Sequence, residues 1–248
     1  MTALLELSQE ARAFLPALGP FDASLSRAAV ETWRGRMVNE HASAAVFEQL
    51  AQQLEQANFV AAAAATCRLF AAEERRHGVL CAAVVSALGG EPRTQLAATA
   101  PYPAHRDAPG RAAALRNLIH VCCMSETVAV SLIGAERLQM PEGPLRELLT
   151  KIYADEVGHA RFGWRLLERV APELDGAERA AIERYLPVAF EHLEQHELAH
   201  LPDVDAPPSG EQLGLCSGRE ARELFYETVE SVIRPGLRRW FTLDQPAF

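Results

Sequence analysis

Two short segments of this chain carry the same pattern. Glu74-Arg75-Arg76-His77 and Glu156-Val157-Gly158-His159 each place a carboxylate three residues before an imidazole, within runs of good helix formers. On an α-helix residues i and i+3 share a face, so the two side chains of each pair point the same way. A carboxylate and an imidazole aimed together into a core are unfavourable as packing, but they suit a single metal ion as two of its ligands. Each pair also follows a lone glutamate at the spacing of a helical hairpin: Glu40 precedes Glu74 by 34 residues, and Glu126 precedes Glu156 by 30. Whatever else the chain does, it must bring these two hairpins together. A third match, Glu197-x-x-His200, stands outside the ordered set and reads as coincidence.

The intervening sequence fits that requirement. Leu4 to Leu15 predicts a short helical lead-in, closed by Pro16 and Gly19-Pro20. Asp22 or Ser24 can cap a long helix to about Glu55, with Val30, Trp33, Met37, Ala44 and Phe47 at helical spacing and Glu40 on their stripe. A second helix follows Asn58 and ends at Gly89-Gly90. Residues 91–110 are broken by Pro92, Pro101, Pro103 and Pro109, and predict a structureless crossover long enough to run the length of a helix. A third helix spans about Arg111 to Gln139, and a fourth, opened by Pro144, runs through Tyr153, Glu156 and His159 to Val170. A fifth, about Gly176 to Leu201, contains Pro187, and a last one spans Gly218 to Ile233. No period-two alternation is evident, so the expected fold is all-α. It divides into a lead-in (1–21), a four-helix bundle (22–171) with a long crossover between its second and third helices, and a C-terminal helical extension (172–248).

The net charge of −9 argues against a nucleic-acid partner. The absence of a long uninterrupted apolar run argues against a membrane span, and the N-terminal residues lack a secretory pattern. Five cysteines without a spaced framework suit a reducing compartment, so a cytoplasmic location is expected.

Six donors therefore emerge: Glu40, Glu74, His77, Glu126, Glu156 and His159. An inward-pointing set of two lone glutamates and two Glu-x-x-His pairs is the ligand pattern of di-iron and di-manganese carboxylate sites. Four carboxylates balance two divalent cations, and oxygen-rich coordination with two imidazoles favours iron or manganese. Glu40, Glu74 and His77 are assigned to one ion and Glu126, Glu156 and His159 to the other, with Glu74 and Glu156 as the better bridges.

The segments Asn39-Glu40, Glu73-Glu74-x-x-His77, Ser125-Glu126 and Asp155-Glu156-x-x-His159 resemble the ferritin-like superfamily. That group includes rubrerythrins, ferritins, ribonucleotide reductase small subunits, multicomponent monooxygenases, acyl desaturases and aldehyde-deformylating oxygenases. The resemblance covers roughly residues 25–170. It implies two iron ions, with manganese or a mixed pair as substitutes. It also implies that Asp155, with Glu73 as a second candidate, supports a ligand histidine across the site. There is no paired Cys-x-x-Cys for a rubredoxin module, about 75 residues follow Val170, and the acidic balance disfavours a tRNA substrate. The implied function is an oxidoreductase that activates O2 to oxidise a small or apolar organic molecule, with an external electron donor. The alternatives are a ferroxidase-like or storage-associated iron protein and a rubrerythrin-type peroxidase. A homodimer is compatible with either.

Other residues invite a role. Tyr153, three residues before Glu156, lies near the expected metal face as a candidate hydrogen-bonding or redox tyrosine, although a core tyrosine is the plainer reading. Cys122 and Cys123 precede Glu126 by one turn and read as buried, inert thiols. Trp33 and Trp164 read as packing residues. His192, His196 and His200 share a helical face that could take zinc or nickel, but glutamates beside them favour a solvated face. Arg234, Arg238 and Arg239 read as surface charge.

Overall fold

A computed structural model describes residues 3–96 and 102–243. Pro101 of the crossover and positions 244–248 of the C-terminal extension lie outside the described residues. The chain is helical apart from one two-stranded antiparallel ribbon.

That ribbon corrects two expectations. Residues Ala3–Glu6 form strand β1, not a helix, and pair with β2, Arg93–Leu96, inside the crossover expected to be structureless. Leu5 sits opposite Thr94 and turns its side chain into the core, and Leu7 N–H continues the pairing by donating to Pro92 O. A four-residue strand has too few positions to show a period, and its partner is some ninety residues away. Only one turn of helix, α1 (Ser8–Ala11), and a 3-10 turn (Arg12–Phe14) remain of the lead-in.

Helix α2 (Ala23–Gln56) begins where the Asp22 carboxylate accepts from the N–H groups of Ser24 and Leu25, at 2.7 and 3.4 Å. These bonds satisfy donors that a helix start leaves free. Helix α3 (Ala61–Ala87) returns alongside it and ends at Gly89, whose φ of 81° a side chain would resist. The third long helix, α4 (Gly110–Gln139), is continuous but not uniform: Ile119–Ser125 is π-helical and leads directly into Glu126. Helix α5 (Pro144–Val170) buries Leu145, Leu149, Ile152, Glu156, His159, Gly163, Leu166 and Val170 in steps of three and four. Glu156 and His159 therefore sit midway along a single stripe. A capping box between Asp175 and Glu178 opens α6 (Gly176–His200), which continues through Pro187. Helix α7, residues 218–238, carries a second π segment at Val229–Ile233.

Helices α2 to α5 pack side by side, α2 on α3 and α4 on α5, with α3 against α5 and α2 against α4. Helices α6 and α7 lie on α4, and their Ile182, Phe190, Phe225 and Ile233 belong to the same apolar cluster as Phe47, Leu115 and Leu166. A second apolar cluster, built on Trp33, Met37, Leu80, Val84, Leu149 and Ile152, fills the other end. On α2, α3 and α5 the glutamates and histidines of interest fall between the residues of these two clusters. The core is thus two apolar masses with a polar layer between them.

Helix α4 is long and apolar enough to cross a membrane by length and composition, but it is a packed core helix, with 56% of its most apolar stretch buried in the protein.

Candidate metal centre

The polar layer is made of the six predicted donors. Glu74, His77, Glu126, Glu156 and His159 are buried, and Glu40 is half-buried. They form two groups whose ligand atoms lie within 4.8 Å of one another. One is Glu40, Glu74, His77 and Glu156; the other is Glu74, Glu126, Glu156 and His159. Glu74 and Glu156 belong to both. His77 Nδ1 is 3.4 Å from Glu40 Oε2 and 3.2 Å from Glu156 Oε1. His159 Nδ1 is 3.0 Å from Glu156 Oε2, 3.1 Å from Glu74 Oε1 and 3.7 Å from Glu126 Oε2.

Each ring is oriented from behind. His77 Nε2 lies 3.0 Å from Asp155 Oδ2, and His159 Nε2 lies 3.0 Å from Glu73 Oε2. A carboxylate that accepts the Nε2 proton fixes the ring and leaves Nδ1 facing the cluster. The arrangement is crossed. Asp155, one residue before Glu156 on α5, holds the histidine of α3, and Glu73, one residue before Glu74 on α3, holds the histidine of α5. Arg76 donates to Asp155 at 2.5 Å from the surface side.

The backbone brings the second half together by two devices. A π turn closes hydrogen bonds to i+5 and so shifts the register of every later side chain. Glu126 is the first residue beyond such a segment. Across from it α5 presents Gly163, where an added Cβ would stand 2.3 Å from Cys122 Cβ. The bare backbone lets α5 reach the π segment one turn beyond His159.

The charges of the layer are strongly interdependent. Burial lifts the Glu74 and Glu126 carboxyls well above the usual range, and the Glu156 charge adds to the effect. Burial also disfavours the Glu156 anion, but hydrogen bonds from His159 and His77 outweigh it and hold that carboxyl low. For His77 burial opposes the charged ring, yet Glu156 and Glu40 carry it up to about 11. His159 is raised in the same way by Glu126, Glu156 and Glu74. Metal-free, the layer balances itself with protons on groups that a cation would claim. Two buried atoms, Glu74 Oε1 and His77 Nδ1, lie close to His159 and Glu156 but make no well-aligned hydrogen bond. Unpaired buried polar atoms cost about 1–3 kcal/mol each, and a cation at this position would satisfy both. The donor set, its burial and its orphaned atoms fit a metal ion.

The remaining candidates fall elsewhere. The Tyr153 ring packs over Gly134 and under the Arg137 guanidinium on α4, two turns beyond Glu126, with no hydrogen bond to the carboxylates among the described residues. The position three residues before Glu156 points its ring along the α4–α5 seam, not into the layer. Asp155 is in place as a support for His77. Burial pushes the Cys67 thiol up to about 12 and raises Cys122 and Cys123 as well, so none is a ready nucleophile. Trp164 Nε1–H donates to Thr127 Oγ1, at 3.0 Å, and Trp33 Nε1–H to Leu213 O, at 2.8 Å. Arg234 is buried against Phe190, contrary to its reading as surface charge, while Arg239 faces Glu168 on the surface. Sequence reasoning missed the π segment, Arg76 and the aromatic wall of Phe47 and Phe70, whose rings lie 5.1 and 4.3 Å from that of His159. Phe47 was legible on the apolar stripe of its helix. Nothing local marks a π turn.

No family model, no curated protein and no solved structure matches this chain.

Proposed function

We propose that the polar layer binds two iron ions within a ferritin-like bundle, and that the protein uses them with O2 to oxidise a small or apolar organic molecule. The observation that carries this reading is the pair of four-donor groups sharing Glu74 and Glu156. Two overlapping groups of this kind would suit two cations, with Glu74 and Glu156 available to both. Manganese would fit the same donors.

A bound metal pair would supply electrons and Lewis acidity for dioxygen chemistry. The chain's own residues define the rest. Glu40 and His77 close one half, and Glu126 and His159 close the other. Asp155 and Glu73 hold the rings so that each Nδ1 stays aimed inward. Glu74 and Glu126, whose carboxyls burial raises, would bind a cation as carboxylates. Around His159, Phe47 of α2 and Phe70 of α3 pack against the ring, and Phe162 of α5 packs edge-on to Phe70, which makes an apolar wall on one side of the layer. That apolar wall favours an organic substrate over a hydrated ion.

Anaerobic loading with Fe(II), exposure to O2 and supply of an external reductant test the proposal against a panel of apolar substrates. Oxidised organic product in proportion to reductant consumed supports it. Continued Fe(II) oxidation over many equivalents with no organic product would replace it with the ferroxidase reading.

A further inference from the structure

The six donors are not equally shut off from solvent. The side chains of Glu74, His77, Glu156 and His159 are at most 4% exposed, whereas Glu40 keeps 15% and Glu126 keeps 10%. Those two donors belong to α2 and α4. The two helices pack together along residues 110–118 of α4 and touch only sparsely from Ile119 onward. Beyond Glu126 the α4 residues 129–135, all uncharged, are half-buried throughout. Ala129 and Val130 lie three and four residues after Glu126 and so continue its face. The bundle is thus least tightly sealed along the seam between α2 and α4, and that seam leads to the layer.

One side chain from outside the four helices is seated there. Tyr102, in the crossover, packs its ring against the apolar cluster that holds Phe47 of α2 and Cys122 of α4. Its backbone N–H donates to Gln49 Oε1 on α2, at 3.0 Å. The next residue is pinned from both helices: Pro103 O accepts from Gln53 Nε2 of α2, at 3.1 Å, and from Asn117 Nδ2 of α4, at 2.7 Å. Asn117, 1% exposed, also donates to Gln53 Oε1 at 2.6 Å, and its Oδ1 lies 2.8 Å from His105 Nε2. A buried amide with three such partners holds them in place, because each broken bond would leave a buried group unpaired. Tyr102 is therefore fixed at the point where α2 and α4 begin to part. Burial raises its phenol well above the usual range, and Tyr185, Cys122 and Glu126 add to the effect, so the ring is within electrostatic reach of the layer.

We propose that the α2–α4 seam is the route by which substrate reaches the carboxylate layer, and that Tyr102 selects what passes, admitting slender apolar molecules and holding back bulkier ones. This inference rests on the layer being the reacting site. The walls suit that class of substrate: Cys122, Ala129, Val130 and Ile133 carry no charge, and a charged group would lose its water against them at high cost. The ring of Tyr102 supplies the obstruction, and its hydroxyl is not needed for it.

The test does not depend on metal. Cys122, fully buried and one turn before Glu126, reports passage along the seam, and Cys81, fully buried in the other apolar cluster, reports general loosening. Metal-free full-length protein is treated with methyl methanethiosulfonate, and the rate at which each cysteine is modified is read by peptide mass mapping. In Tyr102→Ala the Cys122 rate should rise about tenfold or more with Cys81 unchanged, because access then needs only local opening. Tyr102→Phe keeps the ring and should match the wild type. The bulkier benzyl methanethiosulfonate should gain more from Tyr102→Ala than the methyl reagent does. The proposal is overturned if Cys122 is no faster in Tyr102→Ala, if both cysteines speed up together, or if Tyr102→Phe behaves as Tyr102→Ala does. Equal gains for the two reagents would overturn selection by size. A layer that bound no metal would leave all these rates as expected, so the two readings fail separately.

Discussion

The two halves of the polar layer use the same residue types and are built differently. In the α2–α3 half, regular helices carry Glu40 and His77, Glu40 remains half-buried, and Asp155 behind His77 is itself held by Arg76. In the α4–α5 half, a π segment sets the register of Glu126, Gly163 permits the close approach, and Glu126 is buried. Glu73 behind His159 has no matching arginine bond among the described residues. One half is open and supported electrostatically from the surface, and the other is closed and supported by backbone packing. A repeat in ligands thus does not require a repeat in how they are held.

The largest test of this comparison removes what the halves share. Glu156→Ala takes away a donor common to both groups and the anion on which both histidines converge. Metal analysis after iron reconstitution should find close to two ions per chain in the wild type and little in the variant. Retention of one ion would mean that the halves bind independently.

Asp155→Asn and Glu73→Gln come next. Each keeps the ligand atoms but loosens one ring, and such supports are worth about 10–100-fold in metal affinity. Each variant should weaken one ion and leave the other, and the Asp155 change should be the larger because it also frees Arg76. Equal effects in a competitive chelator titration would remove the asymmetry.

Gly163→Ala addresses the closed half alone. The added Cβ would overlap Cys122, and overpacking of this kind costs about 1–3 kcal/mol. Thermal unfolding should show that loss, with the deficit greater in metal-loaded protein if the clash displaces Glu126. An unchanged Tm would show that the helices have room to separate.

The smallest effect is a pH dependence. The folded-state value of His77 is raised from 6.5 to about 11, so the stability it contributes to the metal-free protein is present below pH 6.5 and lost as pH rises toward 11. His159, Glu74 and Glu126 are shifted in the same direction, with Glu156 opposing them. Metal loading displaces those protons. The Tm difference between loaded and metal-free protein should therefore widen from pH 6.5 to 9, with net proton release on binding seen in weakly buffered solution. A gap that narrows with pH would contradict the charge assignment.

Sequence alone determined the helices and the six donors, because both follow from local rules. Helical period puts Glu156 and His159 on the buried stripe of α5, and the order Glu40, Glu74/His77, Glu126, Glu156/His159 survives any detail of packing. The 3.6-residue period could not show that Ile119–Ser125 would wind as a π turn, since a short apolar run packs in either form. Nor could it pair Ala3–Glu6 with Arg93–Leu96, because the hydrogen bonds of a strand belong to a distant partner. Tyr153 has the right spacing for the layer, but the side chain follows the α4–α5 seam, and that direction is set by the neighbour. The crossed supports are likewise contacts between elements. Spacing along one helix fixes the face on which a side chain lies; only the packed neighbours decide what that side chain touches.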